Sequence, residues 1–352
     1  MDRLNFTGWS PIRIHEEPGG EPQVDWMRAP PEVTRKPFFA DGVQDALQHP
    51  FHQAFRRQTP LEDLLGWADA SPGLQPSGIV FHVSRCGSTL VSQAFAALED
   101  HVVLSEPPPL DDLLRADRRL PSLAPDRATD AVRAFASAWA QPAAPAHGTP
   151  PRHLVIKCDC WSTAHAARIA DAWPDAPWLF LYRDPVEVLV SQLQQRGAYL
   201  IPGGPLGVDP AGIPFDEALR MGPEAYCART LGAIYEAMLR EFRPGRTLLL
   251  HYRQLPAAIA DTIAPHFGMQ PDASARERMR AACGVHAKNP LQPFEPDAER
   301  KRRAAPQRLH ALAEQWIAPH YDALERLRAA QDGISRTAAE RPGAPAPGAT
   351  LP

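Results

Sequence analysis

Five short apolar runs, set among segments of helical spacing, constrain this chain more than any other feature. They are Gly78–Val83, His101–Ser105, His153–Lys157, Pro177–Tyr182 and Arg246–His251. Each is too short for a buried helix and reads as a buried strand. Helical spacing lies between them at Gly87–Glu99 (Leu90, Ala94, Phe95, Leu98), Arg127–Ala140, Thr163–Trp173, Pro185–Gln195 and Pro223–Phe242. Strands alternating with helices predict an α/β fold: a central, mainly parallel sheet with helices on both faces. Crossovers in such a sheet are right-handed, and ligands bind outside the carboxyl ends of the strands.

The flanks read differently. Residues 1–38 are interrupted by Pro11, Pro18, Pro22, Pro30, Pro31 and Pro37, with scattered apolar residues at Phe6, Trp9, Ile12, Val24 and Trp26. That pattern suggests an irregular arm packed on a domain. Helical signals follow at Phe39–Leu47. Another begins at Thr59-Pro60-Leu61-Glu62, which has the form of a capping box with proline at the first helical position. The predicted organisation is an arm with helices over 1–75, an α/β domain over 76–330, and a Pro/Ala/Gly tail over 331–352 read as disordered.

Composition excludes several classes. With 37 basic and 41 acidic residues in 352, the net charge is −4, which argues against a general nucleic-acid binder. No apolar stretch approaches the ~18 residues of a membrane span, and the first residues lack a secretory apolar core, so no membrane association and a cytoplasmic setting are expected. The five cysteines are odd in number and predict no disulfide framework. Cys158 and Cys160 have the spacing of two residues on one face of a strand.

The chemistry is concentrated at two junctions. Ser84-Arg85-Cys86-Gly87-Ser88-Thr89-Leu90 sits where the first strand ends and a helix begins. Unpaired backbone N–H groups and the positive end of a helix dipole make such a junction a phosphate seat. Gly87 lets the backbone approach an anion, Ser88 and Thr89 add hydroxyl donors, and Arg85 adds a forked cation. The loop is not a Walker A motif, which needs Gly-x4-Gly-Lys-Ser/Thr. At the second junction the fourth strand ends in Tyr182-Arg183-Asp184-Pro185, and Pro185 suits a helix start. Arg183 and Ser191 could converge on one anion; alternatively, Arg183 pairs with Asp184 or Glu187.

Together these motifs resemble the sulfotransferase family, which uses 3′-phosphoadenosine 5′-phosphosulfate (PAPS) and releases PAP. Ser84–Leu90 looks like the family's 5′-phosphosulfate loop, and Arg183-Asp184-Pro185-x5-Ser191 like its 3′-phosphate motif. The resemblance runs from about Gly78 to Leu291. It implies a sulfotransferase fold related to P-loop kinases, sulfuryl transfer and no obligatory metal. It also implies cofactor contacts from Arg85, Cys86, Gly87, Ser88, Thr89, Leu90, Arg183 and Ser191. Glu106, in Ser105-Glu106-Pro107, is similar to the acidic catalytic base of some members. Others use a histidine near this region, but His101 lies at the wrong end of its strand. Lys157 ends the third strand and could steady the sulfuryl group, making Arg85, Glu106 and Lys157 the catalytic set. Asp159 would share the face of Lys157 and either pair with it or touch the acceptor. Tyr252 and Lys288, the latter in Ala287-Lys288-Asn289-Pro290, resemble later cofactor contacts. The late loop departs from the cytosolic members by lacking their Arg-Lys-Gly signature.

Two other readings stay open: a P-loop-like kinase or nucleotide hydrolase, and a non-catalytic nucleotide-binding protein of the same fold. The acceptor is open too; a small molecule, a carbohydrate or a peptide could offer a hydroxyl or amine. The insertion Gly197–Gly222 and the N-terminal arm are expected to shape its pocket. Oligomeric state is not readable from the residues.

Overall fold

The N-terminal region forms a sheet where the sequence suggests an irregular arm. In the computed structural model, which describes residues 5–141, 149–204, 206–286, 289–293 and 305–339, β1 (Ser10–His15), β2 (Gln23–Met27) and β3 (Arg57–Pro60) pair antiparallel in the order β1-β2-β3. Pro11 is tolerated because it lies on an edge strand at a register shift. Val24 and Trp26, alternate residues of the central strand, are fully buried, and Trp26 stacks on Phe6 at 4.2 Å.

The expected capping box is absent for the same reason. Thr59 and Pro60 belong to β3, and the Thr59 hydroxyl accepts from Trp26 Nε1 at 3.0 Å. The helix Leu61–Ala70 follows with no side-chain cap. Tertiary pairing has taken the residue that local sequence offered to the helix end.

The central sheet forms as the apolar runs predict. β4 (Pro76–His82), β5 (His101–Ser105), β6 (His153–Lys157), β7 (Trp178–Tyr182) and β8 (Thr247–His251) lie in the order β5-β6-β4-β7-β8, every pair parallel. The middle residues of these strands carry the core, with Ile79, Val80, Phe81, Val155, Leu179 and Phe180 fully buried. From β4 the chain first builds one side of the sheet and then, after β6, crosses to the other. The carboxyl end of β4 is therefore the place where such folds bind ligands.

Two further expectations need correction. Cys158 and Cys160 are not on a strand: β6 stops at Lys157, and Cys160 opens a 3-10 turn, Cys160–His165. Both are buried and unpaired. The tail is helical well past residue 331, since the helix Ala318–Ala339 runs on, its pattern supplied by Leu324 packing against the core. Residues 340–352 lie outside the described residues.

Gly78 shows how tightly β4 is covered. A Cβ there would sit 2.3 Å from the ring of buried Phe267. Gly78→Ala should cost about 1–3 kcal/mol through overpacking, seen as a lower urea midpoint, and Phe267→Leu in the same background should recover part of it. An unchanged midpoint for Gly78→Ala would show that the ring yields without cost.

Candidate active site

The loop after β4 is shaped by backbone that ordinary residues avoid. Gly87 is the N-cap of the helix Ser88–Ala96, with φ of 87°, and no side chain caps that helix. A Cβ at Gly87 would also lie 2.8 Å from Leu255 Cδ1, so only glycine fits. Ser84 and Arg85 have φ of 66° and 53°. Such conformations cost roughly 1–3 kcal/mol each and persist only when the surroundings enforce them. Here they do. The Ser84 N–H donates to His82 Nδ1 at 3.0 Å, Gln192 Nε2 donates to Ser84 Oγ at 2.9 Å, and Arg183 Nη1 donates to the Arg85 carbonyl at 3.2 Å. The Cys86 side chain turns inward and donates to the Leu181 carbonyl at 3.2 Å, with burial pushing its thiol up to about 11.

A cleft of about 640 Å³ opens over this loop. Arg85, Gly87, Ser88, Thr89, Leu90, Glu106, Arg183, Ser191 and Tyr252 line it together. Cys86 and Lys157 stand behind the wall, fully buried. Lys288 lies outside the described residues.

Glu106 leaves the end of β5 with φ of 52°, and its N–H donates to the Lys157 carbonyl at 2.7 Å. Its Oε1 lies 2.6 Å from Lys157 Nζ and 3.3 Å from His82 Nε2. Burial alone would raise the Glu106 pKa, but the Lys157 ammonium and the His82 hydrogen bond more than reverse this and hold it below the usual carboxylate range. Burial lowers the His82 pKa, with the hydrogen bond to Glu106 opposing. The neutral ring has its proton on Nε2, because Nδ1 accepts from Ser84. Nε2 accordingly faces the Cys158 carbonyl at 3.0 Å as well as Glu106.

Asp159 does not pair with Lys157. The strand ends at Lys157, so face alternation stops there, and Nζ is taken by Glu106 from the neighbouring strand. Burial raises the Asp159 pKa, and the charges of Glu106 and Asp111 raise it further. Two neighbouring carboxyls are thus driven apart, one toward the anion and one toward the acid, a pattern that assigns roles in acid–base sites.

Arg183 makes the pairing that its i,i+4 spacing allows. Its Nε lies 2.6 Å from Glu187 Oε2, both side chains being buried, and its guanidinium stacks on the Tyr252 ring at 4.1 Å. Asp184 instead caps the helix Pro185–Gln194, accepting from the N–H groups of Val186 and Glu187. The guanidinium plane is therefore fixed, and Ser191, one turn beyond Glu187 on the same helix, opens to the same cleft. Arg85 donates from Nη2 to the Gln195 carbonyl at 2.6 Å and to its Oε1 at 3.0 Å.

Sequence reasoning missed His82, Gln192 and Gln195. A polar residue closing an apolar strand was the available signal for His82; the glutamines offered none. Phe38 from the N-terminal region, Trp161, and Tyr199 and Leu206 from the insertion line the same cleft. His101 lies elsewhere, beside Asp100 and His153 in a separate cavity of about 430 Å³ at the amino ends of β5 and β6. Among the described residues no cluster of three or more His, Cys, Asp or Glu is placed to hold a metal ion.

No protein-family model matches the sequence, and no curated protein matches it. Among solved structures, the chain is similar to the sulfotransferase STF9 from Mycobacterium avium, with 14% identity over 73% of this chain and 82% of that one, at a TM-score of 0.44. It is similar to a sulfotransferase domain from the curacin biosynthetic pathway, with 14% identity over 69% and 98% of the two chains and a TM-score of 0.42. A sulfotransferase from Alicyclobacillus acidocaldarius matches at 16% identity over 73% and 96%, with a TM-score of 0.38.

The ion pair makes a direct prediction. Lys157→Met strands the largely buried Glu106 carboxylate and should cost up to about 3–5 kcal/mol in chemical denaturation. Adding Glu106→Gln should restore much of that loss; simple additivity would contradict the pairing. Because the folded pKa of Glu106 is depressed, its stabilisation is complete above the unfolded value of about 4.3 and fades as pH falls below it. Glu106→Gln should remove that part of the acid dependence.

Proposed function

We propose that this chain is a sulfotransferase that moves the sulfuryl group of PAPS to an acceptor. The observation that carries the reading is the meeting of three groups in one cleft. They are an uncapped helix start with its strained loop, a carboxylate tied to a buried ammonium, and a stacked arginine beside Ser191. The cleft volume is in the range of about 300–1,000 Å³ typical of small-molecule sites. The loop also fits an anion, because Gly87 leaves no room for a Cβ and no side chain of the protein occupies the helix cap.

When bound, PAPS supplies an activated sulfuryl group and leaves as PAP. Arg85, Ser88, Thr89 and the N–H groups of the loop hold the 5′-phosphate in this reading. Arg85 also meets the negative charge that grows on the bridging oxygen, a stabilisation that costs no reorganisation because Gln195 already orients the fork. Arg183, fixed by Glu187 and Tyr252, clamps the 3′-phosphate with Ser191. Glu106 takes the acceptor's proton. Its depressed pKa makes it a modest base, adequate for an acceptor that becomes acidic as its bond to sulfur forms. Lys157 holds that carboxylate in place and lies close enough to share the charge.

No helix among the described residues is long and apolar enough to cross a membrane. We assign the protein to the cytoplasm, where its five unpaired cysteines stay reduced.

Arg85→Ala should lower PAPS-dependent turnover by about 10²–10³-fold while the fold persists; equal turnover would remove Arg85 from the site. Arg183→Ala should weaken PAP binding with a smaller effect on turnover at saturation, and unchanged PAP affinity would contradict the 3′-phosphate role. The acid limb of kcat/KM should lie below the ordinary carboxylate pKa of about 4.3. A limb above that value would contradict Glu106 as the base.

A further inference from the structure

The acceptor side of the cleft holds a carboxyl with no cation. Asp159 is 9% exposed and lines the cleft. The two buried cations of this region are already committed, Lys157 to Glu106 at 2.6 Å and Arg115 to Asp111. Among the described residues, no side chain donates to or pairs with the Asp159 carboxyl. A carboxyl kept out of water without a partner is costly, so its place on a ligand wall calls for a partner from the ligand.

The surroundings say what partner. Trp161 and Tyr199 stand with ring centroids 5.3 Å apart, and Phe38 lines the same cleft. Their polar atoms already have partners in the protein: Trp161 Nε1 donates to Asp111 Oδ1 at 2.7 Å, and the Tyr199 hydroxyl accepts from Gln192 at 2.9 Å. They therefore contribute aromatic faces, which attract cations. Charge counting agrees. Burial and the charges of Glu106 and Asp111 hold Asp159 toward its protonated form, and those two carboxylates are already matched by Lys157 and Arg115, so ionising Asp159 takes a cation from outside this group. An ammonium would supply that cation and favour the carboxylate; a neutral donor would leave the acid protonated.

We infer that Asp159 recognises a protonated amine, so that the acceptor is an amino alcohol presenting its hydroxyl to Glu106. The inference rests on the sulfuryl-transfer reading for the fate of the hydroxyl, but not for the binding of the amine. It also selects the reacting atom. A protonated nitrogen has no lone pair to offer, so the acceptor oxygen attacks sulfur. The new O–S bond forms, the S–O bond to the leaving phosphate breaks, and the hydroxyl proton passes to Glu106.

The test is a calorimetric titration of the full chain with 2-amino-1-phenylethanol and with 1-phenylpropan-1-ol, each with and without PAP. The two alcohols differ only in an ammonium against a methyl group. The amine should bind at least about tenfold tighter, a difference of about 1.4 kcal/mol, and Asp159→Asn should abolish that preference while leaving PAP affinity unchanged. Equal affinities, a preference that survives Asp159→Asn, or no binding of either alcohol would overturn the inference. If Asp159→Asn does not fold, the ratio measured on the unaltered chain decides. Failure of PAP itself to bind is read in a separate titration and counts against sulfuryl transfer, not against Asp159.

Discussion

The contact between Lys157 and Glu106 joins the parts of the site. An ammonium with no exposure cannot stay charged in a protein interior unless a carboxylate meets it. Meeting it fixes the ends of β5 and β6 against each other, helped by the bond from the Glu106 N–H to the Lys157 carbonyl. From Glu106 the connection continues to His82, from His82 to the Ser84 N–H, and from Ser84 Oγ to Gln192 on the helix Pro185–Gln194. Glu106 and the loop after β4 are thus positioned by one network of polar contacts. A change at the buried lysine would be felt at that loop.

The strained residues fall along this network. Ser84, Arg85 and Glu106 all have positive φ, and each has a hydrogen bond from or to its backbone that holds the conformation. Non-glycine residues in that region are uncommon, and clusters of them mark sites where geometry has been favoured over stability. The second half of the site is held differently, by packing. Arg183 lies between Glu187 and Tyr252, with its carbonyl accepting from the Tyr235 hydroxyl at 2.6 Å. One half is fixed by backbone conformation and the other by a stacked side chain, and the Arg183 bond to the Arg85 carbonyl ties them together.

Much of this was legible in the residues because the signals were local. The strands β4 to β8 are apolar runs that need no partner to be recognised. Gly87 and Pro185 mark helix starts by their backbone preferences alone. What escaped depended on contacts distant in the chain. β1 to β3 stabilise one another across some thirty residues, so Thr59 reads as a helix cap until Trp26 is placed beside it. The i,i+4 step from Arg183 to Glu187 was visible, yet only the fold shows the pair buried against an aromatic ring. Asp159 was read with Lys157 by strand alternation, which holds only while the strand lasts. Phe38, Trp161 and Tyr199 come from three distant segments, and nothing in their local sequence brings them to one wall.

The claim that the two anion seats accept one 3′,5′-bisphosphorylated nucleotide is tested most directly by calorimetric titration with PAP, ADP and ATP–magnesium in parallel. The account predicts that PAP binds at least about tenfold tighter than ADP, because only PAP carries the phosphate that Arg183 and Ser191 face. Preference for ATP–magnesium, or binding of none of the three, would contradict it.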